Sequence, residues 1–158
     1  MLKENMIFEK WREYLQEQGE EAKVVTFDFD DTLIRYDSEW EYVGDNDNII
    51  DYFKRFHNAG YKVFIVTSRR QKFEESPDRV NVAKFLEERG LSAAGAIFTE
   101  GQDKARTLDS LGSLLHFDDD EFEWAAIEQN TPHIKIVKID YKTGQIIDGA
   151  QHIEEMGI

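Results

Sequence analysis

The stretch VVTFDFDDTL, residues 24–33, sets Asp28, Asp30 and Asp31 at the end of a run of apolar and β-branched residues. Like charges gathered at a buried strand tip repel one another unless a cation sits among them. A second acid run, Asp118-Asp119-Asp120, follows the apolar sequence LLHF. Between the two runs, Thr67, Ser68, Arg69 and Arg70 follow YKVFIV, and Lys104 opens a helical stretch. Oxygen ligands in a chain without cysteine point to a hard ion, of which Mg²⁺ is the usual case. An aspartate beside such an ion can attack phosphorus and form an aspartyl-phosphate. Hydroxyl, amide and ammonium donors then neutralise the charge on the transferred oxygens. Lys104 breaks a local rule: an exposed lysine in a first helical turn opposes the dipole, costing ~0.3–1 kcal/mol. Broken local rules mark sites, and a lysine at a helix N-terminus can draw in a phosphate.

These residues reach one rim only if the elements between them form a largely parallel sheet, whose ligands bind beyond the strands' carboxyl ends. The spacing of apolar residues predicts an amphipathic helix over 2–18, with Trp11 as a packing residue, and a strand over 24–29. Residues 34–46 read as a loop or short hairpin. Ile49, Ile50, Phe53 and Phe56 form the apolar face of a helix closed by Gly60, followed by a strand over 61–66. Ser76 as N-cap, Pro77 at the first helical position and Gly90 as a stop predict a further helix. A strand over 96–99, a helix over 103–111 and a strand over 114–117 come next. Asp120 with Glu123 has the capping-box pattern at the head of a helix reaching Glu128. A strand over 134–139 turns through YKTGQII into a terminal hairpin. The expected architecture is a three-layer α/β/α, Rossmann-like fold with a mainly parallel sheet.

The chain has 158 residues and 41% apolar content, which suits one domain over 1–158. Within it, 1–20 is the N-terminal helix, 24–139 the core, and 140–158 a hairpin and tail. No apolar leader and no membrane-spanning run is evident, so a cytoplasmic protein is expected. A net charge of −14 argues against a reader of duplex DNA, whose surface would be basic. It still allows a phosphorylated substrate, because a metal and a few local cations can reverse the field inside one cleft.

The sequence resembles the haloacid dehalogenase-like phosphohydrolase superfamily. Its first motif is matched by Asp28-Phe29-Asp30-Asp31-Thr32, its second by VFIV-Thr67, its third by Lys104, and its fourth by LLHF-Asp118-Asp119. The motifs stand in the family's order, and the likeness spans roughly residues 24 to 139. The resemblance implies Asp28 as nucleophile and metal ligand, and Asp30 as general acid and base with its backbone carbonyl on the metal. It implies Thr67 and Lys104 as phosphate holders, with Asp118 and Asp119 securing Mg²⁺. The family often has Gly where this chain has Asp31. Neither gap between motifs is long enough for a cap domain, so a capless, open site is expected. Such a site suits a large phosphomonoester, or a homo-oligomer in which another copy lends the cap.

TSRRQKFEESPDRVNVAKFLEERG and FDDDEFEWAAIEQNTPHIKIV also resemble segments of polynucleotide 3′-phosphatase domains. That likeness implies a nucleic-acid end as substrate, with Ser68 and Arg69 beside the phosphate and Arg35 as another candidate contact. Trp40 and Tyr42 are expected to pack the 34–46 loop on the body, with base stacking as the other reading. Asp120 is expected to cap a helix, Arg70 and Lys72 to be solvated, and Thr26 to face a packed layer. His57, His116, His133 and His152 share no spacing that assigns them a role. The competing function class is a phospho-accepting receiver or binding module, which also combines acids, Thr and Lys. A receiver keeps its acceptor on the middle strand, where this chain has Thr67.

Overall fold

The computed structural model describes residues 22–158, so the helix expected over 2–18 lies outside the described residues. A six-stranded sheet is built from β1 (Val24–Phe27), β4 (Lys62–Thr67), β5 (Gly95–Phe98), β6 (Ser113–Asp118), β7 (Lys135–Ile139) and β8 (Ile146–Asp148). Its order is β5-β4-β1-β6-β7-β8, parallel throughout except for β8, which runs antiparallel to β7 at one edge. A separate antiparallel pair, β2 (Ile34–Tyr36) and β3 (Tyr42–Asp45), makes residues 34–46 a short hairpin, one of the two readings of that stretch.

Strand alternation divides the core into two layers. Val25 and Phe27 of β1, with Leu115 and Phe117 of β6, face a cluster completed by α1 (Asp47–Asn58), α2 (Val82–Glu88) and α5 (Ala150–Glu155). Val24, Phe64, Val66 and Ile136 point the other way, against α3 (Ala105–Leu111) and α4 (Glu121–Asn130). Helices therefore cover both faces, as a mainly parallel sheet requires. Phe27 stacks on Phe117 at 4.2 Å between ring centroids, and Phe53 meets Phe27 at 5.3 Å. Burying each such ring stabilises the fold by about 1.5–3 kcal/mol. That aromatic layer fixes the two strands whose tips carry the acids.

Three local expectations are corrected. The helix of the 76–90 stretch starts at Val82, with Asn81 as N-cap; its side chain accepts from the Lys84 N–H at 2.9 Å. Ser76 and Pro77 instead belong to a turn closed by Arg79 N–H on the Ser76 carbonyl. The capping box at Asp120 is half made. Asp120 does cap α4 through the Phe122 N–H, but Glu123 does not reach back to it. The Asp120 N–H is held by Asp118 Oδ1, and Glu123 accepts from the backbone of Lys104. The tail, finally, ends in the helix α5.

Candidate active site

From β1 the chain leads to β4 and β5 on one side and then returns to β6 and β7 on the other. The tips of β1, β4 and β6 therefore flank a topological switch point, where crevices open in such sheets. Asp28 directly follows β1 and its N–H bonds to the Phe117 carbonyl, which ties it to the neighbouring strand tip. The loop behind it closes tightly, with Leu33 N–H on the Phe29 carbonyl at 2.9 Å. Asp31 takes a positive φ of 59° in that turn. A left-handed residue there explains why glycine would suit the position and why Asp, which tolerates this region, stands in. Its carboxylate accepts from the Tyr36 N–H and so braces the turn.

Asp28, Asp118 and Asp119 each bring one carboxylate oxygen to within 4.8 Å of the others. Lys104, 2% exposed, sets its Nζ 2.7 Å from Asp28 Oδ1 and 2.7 Å from Asp118 Oδ2. Thr32 Oγ1 lies 3.2 Å from Asp28 Oδ2 and 3.3 Å from Asp119 Oδ1, a donor between two acids. One ammonium against three carboxylates leaves two formal negative charges unmatched, and the ligand atoms these three residues offer are carboxylate oxygens. That donor set and charge fit a hard divalent cation.

Protonation follows the same imbalance. Burial, then the charge of Asp118, pushes Asp28 well above the usual carboxylate range. Burial and the charges of Asp118 and Asp31 push Asp119 up to about 7. Burial alone would raise Asp118 too, but Lys104 and the hydrogen bond from His116 pull it below the ordinary value. Lys104 is held above its usual range by Asp118 and Asp28 despite its burial. The pair Lys104–Asp118 is thus the fixed ionic element, and Asp28 and Asp119 carry the unrelieved repulsion.

Asp30 borders the same crevice but turns its carboxylate away from the triad. Arg69 holds it with two N–H bonds of 2.7 Å, and Tyr36 Oη donates to it at 2.5 Å. Arg69 is itself buried, bonded to Glu74 and the Val80 carbonyl, and stacked over the Phe29 ring at 4.8 Å. Its guanidinium is therefore committed within the protein. Thr67 is buried, with Oγ1 accepting from the Arg69 N–H, while Ser68 is exposed at the crevice wall. Arg35 donates to the Lys142 carbonyl and lines an adjoining hollow. Tyr42 pairs with Asp45 beside Arg89, away from the acids, whereas Trp40, 74% exposed, stands free of the body at the crevice mouth.

No protein-family model matches the chain. No curated protein matches it either. Among solved structures, a chain of the Pnkp1/Rnl/Hen1 RNA repair complex is similar in fold, with a TM-score of 0.59 and 14% sequence identity. The match covers 77% of this chain and 43% of that one, so this protein spans less than half of its neighbour's length. The likeness is one of fold.

Sequence reasoning missed the support behind the triad. His116, fully buried, donates or accepts at 2.8 Å to both Asp118 Oδ2 and Thr26 Oγ1, and Thr26 continues to Ser113 at 2.8 Å. Burial lowers its pKa, so the ring is neutral. The neutral tautomer with hydrogen on Nε2 donates to Asp118 and accepts from Thr26. The signal was present: His116 and Asp118 are two apart on one strand, hence on one face, and Thr26 sits opposite His116 in the register. Glu123 was equally hidden, since its partner is a backbone N–H at the head of the neighbouring helix α3.

Proposed function

We propose that the protein is a divalent-metal-dependent phosphomonoester hydrolase working through an aspartyl-phosphate on Asp28. The observation that carries this is the triad Asp28, Asp118 and Asp119 at the switch point, with Lys104 bridging two of its members. Mg²⁺, the ion these oxygen donors suit, would be held by the triad and would withdraw charge from the phosphoryl oxygens. An Asp28 oxygen attacks phosphorus, and the bond from phosphorus to the ester oxygen breaks. Asp30 gives its proton to the departing alcohol. Water then attacks the phosphoryl group, Asp30 takes its proton, and the bond between Asp28 and phosphorus breaks to release phosphate. Arg69 occupies both Asp30 oxygens with N–H donors, so proton delivery requires Asp30 to turn off Arg69. Lys104 and Ser68 supply donors for the phosphoryl oxygens.

Phosphate release from small phosphomonoesters in Mg²⁺ tests the reading. Asp28→Asn is expected to lower kcat at least about 10³-fold while the unfolding transition stays cooperative. Wild-type turnover by that variant would overturn it. The RNA-repair neighbour supports a second, narrower reading, hydrolysis at a phosphorylated nucleic-acid end. A phospho-accepting switch is told apart by lifetime: an enzyme clears its phosphoaspartate between turnovers, and a switch retains it.

A further inference from the structure

The mouth of the crevice differs in character from its floor. Trp40, Phe122, Tyr141 and Ile147 line it and are 74%, 80%, 47% and 59% exposed. Apolar side chains so exposed and gathered around one opening mark a binding surface. Trp40 adds an independent sign, because it sits at a positive φ of 63°. Bulky residues avoid that region at a cost of order 1–3 kcal/mol, and such strain collects at ligand clamps. The strain is held by Asp37, whose carboxylate accepts from the Glu39 and Glu41 N–H groups and whose carbonyl accepts from Trp40. The hairpin tip is thus tied down while its indole stands in water.

The charges of the same mouth are mostly negative. Beyond the triad and the paired Asp30, the lining holds Asp31, Asp120, Glu121 and Asp140, against Lys142 as the one cation among the described residues outside the triad's Lys104. A divalent ion would offset the triad but not these. A polyanion entering there meets repulsion, whereas a flat uncharged group meets aromatic faces.

Resting on the phosphomonoesterase reading, we propose that the leaving group is a single aromatic unit without further negative charge, stacked between Trp40 and the Phe122–Tyr141 side. A mononucleoside phosphate and a phosphotyrosine share that chemistry. A polynucleotide end does not, since each additional phosphodiester adds charge facing Asp120, Glu121 and Asp140.

Calorimetry on the Asp28→Asn protein with Mg²⁺ separates binding from turnover. The probes are phenyl phosphate, glycerol 3-phosphate, phosphotyrosine with its amino and carboxyl groups capped as amides, a nucleoside 3′-monophosphate and a trinucleotide bearing a 3′-phosphate. Phenyl phosphate is expected to bind about tenfold tighter than glycerol 3-phosphate, and the mononucleotide tighter than the trinucleotide. Adding Trp40→Ala or Phe122→Ala should shrink the aromatic preference about tenfold, and whichever of phosphotyrosine and mononucleotide binds tighter identifies the source. Equal binding of phenyl and glycerol phosphates, or tighter binding of the trinucleotide, overturns the proposal. If the aromatic preference holds while the unmutated protein releases phosphate from none of these compounds, the hydrolase reading falls and the binding site stands.

Discussion

At the scale of single residues, the site is a balance between one fixed ion pair and two strained acids. Asp119, raised to about 7 when metal-free, holds a proton in the folded state that the unfolded chain has lost. Its contribution to stability is complete below the unfolded carboxylate value and disappears as pH rises through 7. Asp119→Asn should therefore raise Tm of the metal-free protein at pH 8 by about 4 °C, at ~2–4 °C per kcal/mol relieved, while removing the metal-dependent activity proposed above. Thermal melts in chelator at pH 5 and pH 8 check this, and an equal shift at both values would contradict it. His116 acts the other way. His116→Leu takes one hydrogen-bond partner from each of the buried Asp118 and Thr26 and should cost about 2–3 kcal/mol in urea unfolding. That Asp28, Asp118, Asp119 and Lys104 meet at one rim was legible in the sequence, because the acids directly follow apolar runs that read as neighbouring parallel strands. Arg69 illustrates what was not: its buried bonds to Asp30 and Glu74 depend on a loop path that local pattern does not encode.

Among the elements, local rules explain most starts and stops, and tertiary contacts explain the exceptions. The true head of α2 makes a direct comparison. Asn81→Ala should lose about 1 kcal/mol, and Ser76→Ala less than about 0.5 kcal/mol, in the same unfolding assay. The reverse order would return the helix start to Ser76. Pro77 misled because proline suits a turn as well as a first helical position, and the Asn81 cap decides between them. The half-made capping box has a parallel cause. Glu123 meets the Lys104 backbone, a donor no window around Asp120 contains. Strands were read more securely than helix ends, since a strand buried on both faces shows as a continuous apolar run.

For the molecule as a whole, the parallel sheet and its switch point followed from strands alternating with helices, and the strand order places Asp28 and Asp118 side by side. Binding of a divalent ion to the folded state alone must then stabilise it. Mg²⁺ at about 100 times its Kd should add about 2.7 kcal/mol, or roughly 5–10 °C in Tm. A melt series with and without Mg²⁺ measures it, and Asp119→Asn should abolish the increment. An unchanged Tm at high Mg²⁺ would count against the triad as a cation site. Among the described residues, no helix is long and apolar enough to cross a membrane.

The central place of β1 has a consequence for synthesis on the ribosome. β1 pairs on one side with β4 and on the other with β6, whose register partner for Val24 is Ser113. At about 5–20 residues per second, β1 waits on the order of ten seconds for that second neighbour. During the wait, an apolar segment of high β-propensity has an open edge, the kind that recruits other nascent chains. Asp28, Asp30 and Asp31 directly follow it. Charges flanking such a segment discourage it from associating, so the acids that shape the crevice of the finished protein also guard the unfinished one.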